Sequence, residues 1–253
     1  MKSQHPIFVM GMPRSGTSIT CWVIGQHPDI QYHEVETNCF SLQLEALMRN
    51  PYRWIAIQQY SEQLLKQPLS EYEKRALMTL QEEALIFDEV SQAIRTFLDT
   101  CLLTEVDKKT YVEKTPLHIF YAETIRRIYP DSIFVIPRRE KMQVVNSMLK
   151  KAWSPQSQIA RETFFDIVEN EIQYVIKNFD RTFAFEMEDF CLSPENLIEF
   201  LIESGISETG MDNVFAAHDE RVSVKYLTQP HEKDTREDQE RRLAWTDQII
   251  KTN

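Results

Sequence analysis

The sequence contains little glycine, few cysteines and no long apolar run. Only 5 of its 253 residues are glycine, so each glycine marks a position at which the backbone conformation needs an explanation. No segment approaches the roughly 20 apolar residues that span a bilayer, so we expect no membrane span. The four cysteines show neither a CxxC pair nor the spacing of a zinc site. This predicts reduced thiols in a cytoplasmic protein without a metal.

Positive charge is in short supply overall and is concentrated in one segment. The chain carries 28 Lys and Arg against 39 Asp and Glu, a formal net charge of -11. Such a chain is repelled by nucleic acid and by anionic lipid unless basic residues cluster locally, so we expect neither as a partner. Between Tyr111 and Lys151 there are eight basic and four acidic residues. This segment is the natural place for an anionic ligand.

Short apolar runs alternate with helical patterns along the chain. The runs predict buried strands over Ile7–Met10 and Ser132–Ile136, and further strands over Tyr111–Lys114 and Phe183–Met187. Helices are predicted over Ser18–Gly25, Ile119–Tyr129, Val144–Lys151, Ser157–Asn178 and Pro194–Gly205. Alternation of this kind predicts an α/β fold with a mostly parallel central sheet flanked by helices.

Residues 40–103 show helical periodicity and no convincing strand. Their apolar stripes fit either the core of a helical bundle or a helical insertion that shapes a substrate pocket. No linker divides the chain, so we predict one domain over residues 1–253. That domain carries a helical insertion at about 40–103 and an exposed charged tail at about 230–253.

A glycine-containing loop lies between the first predicted strand and helix. Its sequence, Gly-Met-Pro-Arg-Ser-Gly-Thr-Ser over residues 11–18, matches the phosphate-loop pattern GxxxxGK[ST] except that Thr17 replaces the lysine. The glycines allow a tight turn whose backbone N–H groups face an anion at the helix start. The missing lysine disfavours triphosphate chemistry, whereas Arg14 supplies a fixed cation within the loop.

Three further segments follow in an order that resembles sulfotransferases using 3′-phosphoadenosine 5′-phosphosulfate (PAPS). The loop itself is similar to their 5′-phosphosulfate loop, and Glu-Lys-Thr-Pro-Leu-His over residues 113–118 is similar to the lysine-bearing loop of the bacterial and tyrosylprotein branch. Arg139 with Ser147 resembles the 3′-phosphate signature, and residues 185–194 resemble a later strand with a Glu-Asp pair. The resemblance covers residues 7–40 and 111–205.

The resemblance implies a sulfotransferase with a fold like that of the phosphate-loop NTPases. Such an enzyme moves a sulfuryl group from PAPS to a hydroxyl or amine of a small-molecule or peptide acceptor, without a metal, and releases adenosine 3′,5′-bisphosphate. The residues it assigns to the nucleotide are Pro13, Arg14, Ser15, Gly16, Thr17, Ser18, Arg139, Ser147 and Lys151. The backbone N–H groups of residues 15–18 are expected to face the anion. Lys151 is expected one turn after Ser147 on the same helix, and the Ser147 spacing favours Arg139 over its neighbour Arg138.

The resemblance also implies the catalytic groups. Arg14 and Lys114 would stabilise charge on the transferring and leaving groups. A general base must take the proton of the acceptor hydroxyl. Glu34 matches the family position without a gap and is the preferred candidate, whereas Glu36 matches it after a one-residue shift. His33 and His118 are rival candidate bases.

Two other functional classes fit parts of the pattern. A phosphate-loop kinase fits the loop and the sheet, but the absent lysine and the 3′-phosphate signature disfavour it. A non-catalytic nucleotide-binding protein would fit the fold, but the presence of Glu34, Lys114 and Arg14 disfavours it. The sequence indicates neither the acceptor nor an oligomeric state.

Overall fold

The computed structural model describes residues 4–33, 36–37, 40, 95–96, 98–151, 154–155 and 157–222. The strands are β1 Ile7–Val9, β2 Ile30–Tyr32, β3 Thr110–Lys114, β4 Ile133–Arg138 and β5 Thr182–Glu186. Outside residues 40–102, the α-helices of the described residues are α1 Thr17–Ile24, α2 Ala122–Ile128, α3 Lys141–Met148, α4 Gln158–Asn178, α5 Met187–Leu192, α6 Glu195–Glu203 and α7 Met211–Arg221. A 3₁₀ helix spans Pro116–Tyr121.

The five strands form one parallel sheet in the order β2-β3-β1-β4-β5. Every pairing between neighbours is parallel, which confirms the predicted α/β class. Strand β1 is the central strand, and its three residues are completely buried and apolar. A strand buried on both faces has no polar side for water, so helices must cover both faces of the sheet.

The core is divided into two layers by the sheet. On one face Phe8, Tyr111 and Phe134 belong to a cluster with residues from α2, α3 and α4. On the other face Val9 and Val135 belong to a cluster with residues from α1, α5, α6 and α7. The two layers hold β1, β3 and β4 in the middle of the molecule, and this fixes where their carboxyl ends lie.

Two helix boundaries differ from the sequence prediction. Helix α3 begins at Lys141 rather than Val144, because the Glu140 carboxylate accepts the backbone N–H groups of Met142 and Gln143 and caps the helix start. It ends at Met148, so the prediction that the helix reaches residue 151 is wrong. The first three residues of the helix predicted over 119–129 belong instead to the 3₁₀ helix, which begins at a proline, and α2 begins at Ala122.

Strand β2 and helices α5 and α7 were not predicted. Strand β2 has only three residues, with a glutamine at its centre. The Gln31 side chain is buried and is satisfied by the chain after residue 103: its Nε2 donates to Thr104 Oγ1, and its Oε1 accepts the backbone N–H groups of Thr104 and Glu105. These partners are about 70 residues away in the sequence, so a local pattern does not reveal them.

Most of the predicted insertion at 40–103 and the entire predicted tail at 230–253 lie outside the described residues. Residues 95–96 and 98–102 are helical. Of the cysteines, Cys21, Cys101 and Cys191 are free thiols, and Cys39 lies outside the described residues. Within the described part of the chain, no helix is both long enough and apolar enough to cross a bilayer.

Gly16 gives a test of how closely the first loop packs on the rest of the fold. It has a φ of 103°, and a Cβ built there would lie 2.5 Å from the sulfur of Met187, which is completely buried. Gly205 has a similar φ of 94°, but a Cβ there would lie 3.4 Å from the nearest atom, on His5.

We expect Gly205→Ala to lower the free energy of unfolding by about 1–2 kcal/mol, the cost of the left-handed backbone for an L side chain. Gly16→Ala should cost about 1–3 kcal/mol more, because its methyl group also overpacks against Met187. Urea unfolding of the two variants measures the difference. Equal losses would show that the loop does not pack tightly on α5.

Candidate active site

The site lies at the carboxyl ends of β3, β1 and β4. These strands are neighbours in the sheet. Val9, the last residue of β1, is paired with Lys114 of β3 on one side and with Val135 of β4 on the other. Because all three are parallel, the segments that follow them leave the sheet at one edge. In open α/β sheets this edge, next to the point where the strand order reverses, is the usual ligand site.

The loop after β1 has the backbone of an anion-binding turn. Gly11, Arg14 and Gly16 all have positive φ values, of 128°, 76° and 103°. For Arg14 this conformation is strained, at a cost of about 1–3 kcal/mol, and such strain is concentrated at functional sites. The Gly11 N–H donates to Pro116 O at 2.8 Å, so the loop is tied to the segment after β3.

The start of α1 is open toward this edge. Ser15 is completely buried, and both its hydroxyl and its backbone N–H donate to Met12 O, at 2.7 and 3.2 Å. The loop uses the Ser15 N–H in its own turn, and the expectation that this group faces an anion stays a prediction. Gly16 precedes the helix and no side chain caps it, so the N–H groups of Thr17 and Ser18 in the first helical turn remain for an anion.

Arg14 connects the loop to α3. Its Nε donates to Ser147 Oγ at 3.1 Å, across 133 residues of sequence. The two segments to which the sequence assigns different phosphates therefore lie side by side. One ligand with two anionic groups could contact both.

The two arginines at the end of β4 have different surroundings. Arg138 pairs with Glu169 at 2.7 Å and with Glu186 at 3.2 Å. The Nε of Arg139 donates to the neutral side chain of Gln143 at 2.7 Å, in an exposed position. Because two carboxylates already balance Arg138, Arg139 is the more suitable of the two for a phosphate, and its role there stays a prediction.

Lys151 does not share a helix face with Ser147. Helix α3 ends at Met148, and the Lys151 N–H donates to Met148 O in the turn that follows. The side chain is largely buried. The predicted helical relation is therefore wrong, and a role for Lys151 in nucleotide binding stays a prediction.

Lys114 at the end of β3 contacts a carboxylate from the segment after β2. Its Nζ lies 2.7 Å from Glu36 Oε1. Lys114 is 7% exposed, whereas Glu36 is exposed. Glu34, the preferred candidate base, lies outside the described residues. The structure thus brings together Lys114 and the alternative base.

A buried polar cluster lies beside Lys114. Glu113 is completely buried, and its Oε2 is 3.0 Å from Nδ1 of His118, which is also completely buried. Burial raises the pKa of the Glu113 carboxyl, but the adjacent His118 imidazole and the surrounding hydroxyl donors outweigh it and hold the pKa below its usual value. The His118 ring meets the edge of Phe40 at 5.1 Å between centroids. Such burial disfavours His118 as a base that touches substrate.

The chain is similar to known proteins over most of its length. Residues 6–201 match the family described as "Sulfotransferase family". The chain belongs to the sulfotransferase family. Its fold is like that of the crystal structure of sulfotransferase STF1 from Mycobacterium tuberculosis H37Rv, with a TM-score of 0.50 and 17% identity over 90% of this chain and 74% of that one.

Two other matches are of different kinds. The sulfotransferase domain from the Synechococcus PCC 7002 olefin synthase has a TM-score of 0.50 and 14% identity, over 90% of this chain and 84% of that one. An uncharacterized protein of Aquifex aeolicus (strain VF5) is 32% identical over 95 residues. That match spans 35% of this sulfotransferase chain and only 12% of the much longer relative.

Glu113 and Thr37 are polar residues at this edge of the sheet to which the sequence pattern gave no role. A glutamate inside a strand whose five residues are all buried signals a polar cluster, because a buried carboxylate needs hydrogen-bond partners. The partners themselves come from distant segments and have no local signature. Among the described residues no group of three or more His, Cys, Asp or Glu side chains could hold a metal ion.

The different environments of the two β4 arginines lead to a stability prediction. Arg138→Ala should lower the free energy of unfolding of this sulfotransferase by about 1 kcal/mol, because it leaves Glu169 and Glu186 without their shared cation. Arg139→Ala should change it by less than about 0.5 kcal/mol. Urea unfolding at low salt measures both. A larger loss for Arg139→Ala would contradict the assignment of Arg138 to the scaffold.

Proposed function

We propose that the protein transfers the sulfuryl group of PAPS to a hydroxyl (or amine) of a small-molecule or peptide acceptor, releasing adenosine 3′,5′-bisphosphate. The observation that carries this proposal is the 3.1 Å contact between Arg14 and Ser147. It joins the loop assigned to the 5′ end of the donor to the helix assigned to its 3′-phosphate.

The residues present fit a ligand with two separated anionic groups. The open start of α1 and the Arg14 guanidinium would hold the 5′ end, and Lys114 lies at the next strand end. Arg139 and Ser147 would hold the 3′-phosphate by charge-assisted hydrogen bonds. The cations come from side chains, so the site can balance the anion without a metal.

The proposed chemistry uses these cations where negative charge develops. The bound donor supplies a sulfuryl group activated by its bond to the 5′-phosphate. Arg14 and Lys114 neutralise charge on the departing phosphate and the bridging oxygen. Well-placed donors of this kind are each worth about 3–4 kcal/mol of transition-state stabilisation.

A carboxylate beside Lys114 would take the proton from the hydroxyl or amine of the acceptor molecule. Glu36 is exposed and lies 2.7 Å from Lys114, so its carboxylate is next to the side chain that meets the transferring group. Glu34 precedes it by two residues and is the alternative. His118 is completely buried beneath Phe40, which supports a structural rather than a proton-transfer role.

Nucleotide binding tests the donor assignment. The wild-type protein should bind adenosine 3′,5′-bisphosphate more tightly than 5′-AMP. Arg139→Ala should raise the Kd of the bisphosphate by about 10- to 100-fold, the value of a charge-assisted contact, with little effect on 5′-AMP. Isothermal titration calorimetry measures both.

Lys109→Ala is the matched control for that experiment. Lys109 also carries one positive charge, but it precedes β3 and pairs with Asp29 at the opposite end of the strand. Its loss should leave both nucleotide affinities unchanged. If wild-type protein binds the two nucleotides equally well, the 3′-phosphate site is wrong.

Paired amide substitutions test the base. Glu36→Gln should lower kcat by about 10²- to 10⁴-fold, the usual contribution of a general base, while adenosine 3′,5′-bisphosphate still binds. Glu34→Gln should retain most of the activity. Release of the bisphosphate from PAPS, measured with a panel of phenol, sugar and tyrosine-peptide acceptors, gives the rates. The reverse result would assign the base to Glu34.

A further inference from the structure

We propose that Glu113 is a positioning residue that holds Glu36 and Lys114 in their catalytic relation. The inference rests on the proposed function, in which these two side chains carry proton transfer and charge stabilisation. Glu113 itself touches neither the donor nor the acceptor. It acts through Thr37, the neighbour of Glu36.

The Glu113 carboxylate joins three separate segments of the chain. Its Oε1 accepts the Thr37 hydroxyl at 2.8 Å and the Thr37 N–H at 3.3 Å. The same oxygen accepts the Thr115 hydroxyl at 2.6 Å. Its Oε2 is paired with His118. The segment at 36–37, the end of β3 and the 3₁₀ helix therefore meet at one carboxylate.

The contacts form two adjacent pairs. Lys114 contacts Glu36, and the preceding residue, Glu113, contacts the residue after Glu36. The first pair is partly solvated, because Glu36 is exposed, and a solvated ion pair alone holds its partners weakly. The second pair is anchored on the completely buried Glu113 and has two hydrogen bonds, so it fixes the geometry of the first.

The burial of Glu113 makes this arrangement rigid. A carboxylate removed from water is stabilised by the hydrogen bonds it accepts, and releasing Thr37 would remove two of the donors to Oε1. His118 secures the carboxylate from the other side, and its own ring is held against Phe40. Movement of Thr37 away from Glu113 is thus unfavourable, because the buried carboxylate has no water to replace the hydrogen bonds that it would lose.

Thr37 offers the sharpest variant, because its replacement leaves Glu113 paired with His118 and Thr115. Thr37→Val removes the hydroxyl donor and keeps the branched shape, whereas Thr37→Ser keeps the hydroxyl. We expect Thr37→Val to lower kcat by at least about 10-fold, as displaced catalytic groups do, with the KM for PAPS unchanged. Thr37→Ser should recover most of the loss. A purely structural contact would lower the Tm of Thr37→Val and leave kcat unchanged.

A second readout does not need activity. Amine-directed acetylation of intact protein, followed by mass spectrometry, reports how freely the Lys114 amine is available, with Lys109 in the same sample as internal standard. Thr37→Val and Glu113→Gln should raise the Lys114 labelling rate at least about three-fold, because Glu36 no longer stays beside it. Thr37→Ser should label like wild type.

The two readouts separate this inference from the proposed function. If wild-type protein transfers no sulfuryl group to any acceptor, the proposed function fails, but raised Lys114 labelling in Thr37→Val still supports the positioning role. If Lys114 labels at the wild-type rate in both variants, the positioning role is overturned, whatever the enzyme does.

Discussion

The site depends on the convergence of like charges at one edge of the sheet. Arg14, Lys114 and Arg139 follow three neighbouring parallel strands, so the sheet itself brings them together. Bringing cations together is unfavourable unless a counter-charge is present. Carboxylates already supply part of it: Glu36 pairs with Lys114, and Glu169 and Glu186 pair with Arg138 nearby. Within an acidic chain, this edge is where an anion is best accommodated.

Backbone geometry and side-chain charge contribute differently to that edge. The loop after β1 uses positive φ values and its own internal hydrogen bonds to orient the start of α1. This part needs no charged residue, and it explains why a threonine can occupy the position of the usual lysine. The cations come instead from Arg14 within the loop and Lys114 on the neighbouring strand. The loop backbone can thus be kept while the positive charge originates from other positions.

The sequence predicted the strands best where burial leaves a continuous apolar run, as at Ile7–Val9 and Ile133–Ile136, and where a motif follows directly. It failed where long-range contacts decide the structure. Strand β2 depends on the partners of Gln31 beyond residue 103. The same holds for Glu113, whose partner Thr37 lies 76 residues away. Local periodicity carries no information about such pairs.

The close approach of Gly16 to Met187 has a consequence for sequence divergence. The missing Cβ at one position makes room for the thioether at the other, although the two residues lie on opposite halves of the chain. A substitution at either position changes the space available to its counterpart. Substitution in α5 is therefore restricted by the loop after β1, and related sequences should vary at these two positions jointly rather than one at a time.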